Sequence, residues 1–78
     1  MNIEIVKPDK EVFAGDIDSA IFPGTNGSFG VLKDHAPLIS TLQKGEIEVV
    51  DEHDLEKTFQ INGGVVEVLD NKIIVLAE

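Results

Sequence analysis

Period-two alternation constrains this chain more than any other feature. EIEVV (Glu46 to Val50) places Ile47 and Val49 on one face and Glu46, Glu48 and Val50 on the other. NIEIV repeats the pattern, with Ile3 and Ile5 opposite Glu4. IDSAIF, SFGVL, PLISTL, KTFQI, VVEVL and KIIVLA supply further short runs rich in β-branched residues, whose stiff side chains suit a pleated surface. Turn-forming residues separate the runs: Pro8-Asp9, Ala14-Gly15-Asp16, Lys44-Gly45, Asn62-Gly63-Gly64 and Asp70-Asn71. Both Asp70 and Asn71 tolerate positive φ, so they predict a two-residue hairpin turn. Gly30, inside SFGVL, predicts a bulge or a close backbone approach. DEHDLEK, residues 51 to 57, reads as a polar hairpin loop. No segment carries a helical period. The pattern predicts an all-β fold, a small flattened β-sandwich or barrel of short, mostly antiparallel strands.

With 78 residues, the chain is one domain, 1-78. Its core is thin, because a domain this small buries only about 60% of its unfolded surface. It has no cysteine, so neither a disulfide framework nor thiol chemistry enters. The net charge of −9 repels phosphate and argues against nucleic acid and anionic lipid as ligands. No apolar run approaches the roughly 18 residues of a membrane-spanning helix, so membrane association is expected only through another protein.

The residues that could carry chemistry do not assemble into a catalytic set. Gly24, Gly27 and Gly30 form G-x-x-G-x-x-G, without the Lys-Ser/Thr of a nucleotide loop. Val31-Leu32 and Pro37 follow, not the helix N-terminus that phosphate binding needs. Asp34 and His35 are adjacent, so an extended chain points them apart; a local hydrogen bond or a partner contact is expected for His35. His53 sits in the polar Asp51-Glu52-His53-Asp54 loop, too poor in ligands for a structural metal site. Phe13 and Phe59 are expected in the core, and so is Phe29, with a surface-anchor role as its alternative. Lys72, beside the Asp70-Asn71 turn, leaves open a carrier domain of lipoyl or biotinyl type, although Asn71 and Ile73 do not match the flanks of those lysines.

The order of motifs carries more. IEIVKPDKEVFAGDI, FPGTNGSFGVLKDHAPLISTLQKGEIEV and FQINGGVVEVLDNKIIVLA together resemble the N-terminal domain of the epsilon subunit of F-type ATP synthases, called delta in mitochondria. Pro23-Gly24, Gly27, Gly30, His35-Ala36-Pro37-Leu38, Gly45 and Gly63-Gly64 match the family pattern in order and spacing. Lys33-Asp34 stands where many members have Pro-Gly, and Ser28 where relatives often have an acid. The resemblance implies a non-catalytic rotor subunit of a proton-translocating ATP synthase, clamping the gamma shaft to the c-ring. It implies that Lys7, His35 and Ser40 face gamma, and that Asn26, Gly27 and Ser28 rest on the c-ring. It further implies no cofactor, metal or direct membrane insertion, and a place on the cytoplasmic face of a bacterial membrane through the complex. The helical hairpin that follows this domain in most relatives has no counterpart before Glu78, which implies no inhibitory arm and no nucleotide bound by this chain.

Overall fold

The computed structural model describes all residues, Met1–Glu78. Eight strands and no helix form the molecule: β1 (Asn2–Lys7), β2 (Lys10–Gly24), β3 (Gly27–Leu32), β4 (Leu38–Leu42), β5 (Gly45–Asp51), β6 (Glu56–Ile61), β7 (Gly64–Leu69) and β8 (Lys72–Ala77). All pairings are antiparallel except β1 with β8. The all-β sandwich expected from the alternation is the fold observed.

The architecture turns on β2, which is 15 residues long. Its first half pairs with β1, from Lys7↔Lys10 to Asn2↔Asp16. Its second half pairs with β5 along one edge, from Ile17↔Asp51 to Ile21↔Glu48, and with β3 along the other. One layer therefore runs β2-β1-β8-β7-β4, and the other runs β3-β2-β5-β6. The expected turn at Ala14-Gly15-Asp16 is absent: these residues lie inside β2. Asn2 holds this crossing, its Nδ2 donating to the Gly15 carbonyl and to Asp16 Oδ1, each at 3.3 Å. The Met1 carbonyl accepts from Ile17 N–H at 2.7 Å. Register shifts at Ile5/Val6 and Ile17/Ser19 flank the crossing, and such bulges bend a strand without ending it.

Alternation decides what the layers enclose. Ile3, Ile5, Ile47, Val49, Val66, Val68, Ile73 and Val75 are all buried, and no polar or charged residue is. A fully buried Ile or Val side chain stabilises by about 1.5–3 kcal/mol relative to exposure, so this interior drives folding. Phe22 is the one fully buried aromatic. Phe29 stacks on it with centroids 5.6 Å apart, in the core role expected of it. Phe13 and Phe59 are half-buried and stack at 5.0 Å, with the Lys57 ammonium 5.1 Å from the Phe13 ring centre. This group packs against the core and closes one side of the sandwich, while its outer edge meets solvent.

Asp70 and Asn71 have φ of 49° and 61°, so the predicted hairpin turn forms with both central residues left-handed. Gly30 departs from its expectation. It pairs in register with Ile21, and an added Cβ would meet only the Ala20 carbonyl, at 3.8 Å. The close approaches are elsewhere. A Cβ on Gly24 would lie 2.6 Å from the Gly27 carbonyl oxygen, and Gly64, at φ 147°, has the backbone of Leu76 where its Cβ would go. Gly64→Ala is accordingly expected to cost about 2–4 kcal/mol, while Gly30→Ala changes stability by less than about 0.5 kcal/mol. Urea unfolding of the two variants checks the contrast, which would invert if Gly30 were the constrained position.

Candidate functional site

The outward face of the β1-β8-β7-β4 layer is apolar where a sheet against water would alternate to polar residues. The ladders give two cross-strand rows: Ile39–Glu67–Ile74–Glu4, and Thr41–Val65–Leu76–Val6. Ile39 is 73% exposed, Leu76 60%, Leu69 49% and Val65 39%. Glu67 and Glu4 are the acids within the two rows. Exposed apolar side chains grouped on one sheet face make this a candidate docking surface. The strands are apolar on both sides because β7 and β8 contribute VVEVL and KIIVLA, with few polar interruptions. Those unbroken runs were the signal in the sequence that two faces, not one, are to be buried.

A second shaped surface is the β2–β3 hairpin. Gly24 pairs with Gly27 around the two-residue turn Thr25-Asn26. Neither turn residue takes positive φ; Gly27 does, at 122°. Asn26, Gly27 and Ser28 are all exposed, and nothing lies within 4 Å of a Cβ built on Gly27. The hairpin is anchored from behind. Thr25 N–H donates to the Thr41 carbonyl at 3.1 Å, and the two threonine hydroxyls meet at 2.8 Å. Gln43 N–H donates to the Pro23 carbonyl at 2.8 Å, and Gln43 Nε2 to the Gly24 carbonyl at 2.9 Å. A tip with small polar side chains flanking a bare Gly27 is thus held by hydrogen bonds at its base.

The β3–β4 loop carries His35. His35 N–H closes a turn onto the Leu32 carbonyl at 3.1 Å, with Asp34 at φ 64°. That is the position where a type II turn takes positive φ, so Asp34 serves in a place suited to glycine. Asp34 and Asn71 bond reciprocally: Asp34 N–H donates to Asn71 Oδ1 at 2.7 Å, and Asn71 Nδ2 donates to Asp34 Oδ1 at 3.0 Å. The Asn71 carbonyl also accepts from Asn2 N–H at 2.9 Å. Asn71 thereby ties the His35 loop to the β7–β8 turn through its side chain, and the turn to the start of β1 through its backbone carbonyl. His35 Nδ1 lies 2.7 Å from the Ala36 carbonyl; a carbonyl only accepts, so Nδ1 carries the hydrogen. The segment is a turn at Asp34 and not the extended chain expected of it, and the two side chains take different partners: Asp34 bonds Asn71, and His35 Nδ1 bonds the Ala36 carbonyl.

The structure does not bring Lys7, His35 and Ser40 together. Gly24 pairs with Leu42, Leu42 with Gly64, and Gly64 with Ala77, so the Asn26-Gly27-Ser28 tip belongs to the end of the sandwich where β8 finishes. Lys7, one residue beyond the Val6↔Leu76 pair, lies at that same end. His35 is held at the opposite end, beside Asn71. Ser40 sits mid-strand, half-buried on the side of Leu38 and Leu42, with its hydroxyl turned to the Thr41 carbonyl at 3.3 Å. Its neighbours Ile39 and Thr41 hold the outward positions. The apolar face spans the distance between Lys7 and His35, so a partner lying across it would meet both as rim residues.

The remaining candidates fall to structural roles. Lys72 is the first ladder residue of β8, paired with Leu69 and Asn2, and the hairpin tip consists of Asp70 and Asn71. A carrier lysine would stand at the tip. His53 lies in the β5–β6 loop, where its N–H and that of Leu55 donate to Asp51 Oδ1 at 2.8 and 3.1 Å. No group of three or more His, Cys, Asp or Glu side chains is placed to hold a metal ion.

Residues 1–78 match the family model described as ATP synthase, Delta/Epsilon chain, beta-sandwich domain. The chain belongs to this family. It is 49% identical over 76 residues to an ATP synthase epsilon chain of Chlorobaculum tepidum, covering 97% of this chain and 86% of that protein. The epsilon chains of Leptospira borgpetersenii and Campylobacter concisus are 37% and 38% identical over all of this chain, which spans 61% and 60% of their lengths. Among solved structures, a chain of the Euglena gracilis mitochondrial ATP synthase (OSCP/F1/c-ring) superposes with a TM-score of 0.90 at 21% identity. This chain is covered over 96%, and that chain over 48%. A chain of the Tetrahymena thermophila central stalk and c-ring gives 0.81 at 17% identity, with coverages of 99% and 62%. At those identities the superpositions establish the shared fold.

Two outcomes follow from these bonds. Asn71→Gly keeps the left-handed turn but removes the side-chain tie, and is expected to cost about 1 kcal/mol. Hydrogen exchange should then speed up at the Asp34 amide while β5 is unaffected; unchanged exchange there would mean the tie carries no load. The Asp51 carboxyl is held below its usual range by the N–H groups of Leu55 and then His53, with smaller help from the Lys57 charge. A depressed carboxyl contributes stability above its unfolded pKa, and that contribution fades as pH falls through the folded value. Asp51→Asn should therefore flatten the acid limb of a melting-temperature profile below about pH 4, leaving its shape near neutrality unaltered.

Proposed function

We propose that this chain is the rotor joint of an F-type ATP synthase: a non-catalytic central-stalk subunit that couples the gamma shaft to the c-ring. Family membership over residues 1–78 is the observation that carries this reading. The geometry supports it in a specific way. A joint between two bodies needs two separate docking surfaces and a stiff element between them. The apolar outer face of the β1-β8-β7-β4 layer is suited to gamma, with Lys7 and His35 at its two ends; Ser40, on the inner side of β4, is reached only from the free edge of that strand. The exposed hairpin tip Asn26-Gly27-Ser28 is suited to the polar loops of the c-ring. Between the two lies an apolar interior without a polar defect.

In this role the domain transmits torque and performs no chemistry. Shear at the tip passes to β4 through the hydrogen bonds of Thr25 and Gln43, then across the ladders to the apolar face. The net charge of −9 favours a basic surface on gamma and speeds encounter with it. Association with the membrane is through the complex, on the cytoplasmic face in a bacterium. No helix here is long and apolar enough to cross a membrane. The carrier alternative loses its support because Lys72 is a ladder residue.

The test is co-elution of the purified chain with the gamma subunit of the same organism. A stoichiometric complex is expected. Ile39→Lys and Leu76→Lys, both at exposed positions, should each weaken it at least tenfold while the melting temperature stays within a few degrees. Asn26→Lys should leave the gamma complex intact and impair attachment to c-rings. Gly27→Val is the poorer probe of the tip, since φ of 122° strains any side chain and lowers stability as well. Full gamma binding by both lysine variants would place the gamma surface elsewhere.

A further inference from the structure

The free edge of β3 is an unpaired ladder edge, separate from the apolar outer face and adjoining the hairpin tip, with which it shares Ser28. β3 pairs only with β2. Pro23 has no N–H, and its carbonyl accepts from Gln43, so Pro23↔Ser28 is a non-hydrogen-bonded pair. Alternation then makes Phe22↔Phe29 and Ala20↔Val31 the bonded pairs, and turns the backbone groups of Ser28, Gly30 and Leu32 away from β2. The Leu32 carbonyl is taken by His35 N–H. The N–H groups of Ser28, Gly30 and Leu32 and the carbonyls of Ser28 and Gly30 are left facing outward, in the spacing of a β ladder.

Edge strands are normally blunted by charge, proline or a bulge. β6, the other edge of this layer, carries Glu56 and Lys57. β3 reads GSFGVL, with no charge, no proline and no register shift. At its centre Gly30 offers bare backbone. Beside it Leu32 is 65% exposed and Ile21 44%, forming an apolar strip on the outward face. The surroundings are acidic on balance: Glu48 shares the cross-strand row Gly30–Ile21–Glu48, and at the Leu32 end the exposed acids Asp18 and Asp34 outnumber the one exposed cation there, Lys33. A second copy would bring a further −9 charge to this edge, which disfavours self-pairing.

We infer that the β3 edge accepts an extended segment of a partner protein as an added strand, with apolar side chains set over Gly30 and Leu32 and flanking Lys or Arg residues. The segment gains its affinity from the five outward backbone groups and its selectivity from the acidic margin.

The experiment titrates the full 78-residue chain, labelled with nitrogen-15, with the capped peptide KVTVTVK and reads amide shifts and exchange. Protection confined to Ser28, Gly30 and Leu32 is expected. A peptide N-methylated at alternate residues, which cannot form the ladder, should bind at least tenfold more weakly. Gly30→Lys should weaken the parent peptide equally with an unchanged melting temperature, since its Cβ has room. Shifts confined to β6 or to the outer face of the other layer would overturn the proposal, as would equal binding of the methylated peptide or no binding at millimolar peptide. Protection of the same amides without peptide, with a doubled mass in sedimentation, would overturn the choice of partner in favour of a second copy.

Discussion

Both layers depend on a single continuous strand. β2 gives its first half to β1 and its second half to β3 and β5, so the crossing near Gly15 and Asp16 is where the sandwich is joined. Two devices keep the crossing from fraying. Bulges on either side let the strand bend while its ladders continue. The Asn2 side chain and the Met1 carbonyl bind the bend from the neighbouring strand. Because the ladders meet there, a distortion applied to one layer reaches the other through backbone bonds and not only through side-chain contacts.

That continuity gives the functional reading its mechanical content. The hairpin tip is the far end of β2 and its return strand, and its anchors reach β4, the edge of the opposite layer. The apolar outer face belongs to that opposite layer. Tip and face are therefore joined by two routes: along β2 itself and through the Thr25–Thr41 contact. The interior between them contains only apolar side chains, whose dense packing resists deformation.

Much of the fold was legible because alternation is a local property. Ile47, Val49, Ile3 and Ile5 pointed inward as read, and Asp70-Asn71 formed the expected turn. The failures share a cause: each depends on what the chain meets far away. Ala14-Gly15-Asp16 has turn composition, yet its conformation is set by Asn2 and β1, and a strand ladder prevailed over local propensity. Gly30 looked like the constrained glycine of its strand. Gly64 is constrained instead, by Leu76, a neighbour invisible to a reading of residues near it in sequence. The Asp34–Asn71 tie spans two loops and left no sequence signature. Of the site, the hairpin tip was legible through its glycines. The apolar outer face was hidden in KIIVLA, whose outward Ile74 and Leu76 a core-only reading assigns no separate role.

The parallel pairing of β1 with β8 sets the order of events during synthesis. Of these eight strands, β1 is made first and lies beside β8, the last of the eight, and Ile3, Ile5, Ile73 and Val75 complete the same interior. The β1-β8-β7-β4 layer cannot close until Lys72–Ala77 has left the ribosome. Until then the nascent chain holds β1 and β2 with the inward side of β1 uncovered. Such an arrangement, dominated by contacts distant in sequence, folds slowly and exposes apolar surface to the cell while it waits. For the growing polypeptide, the seam that stiffens the finished domain is an interval of vulnerability to chaperones and aggregation.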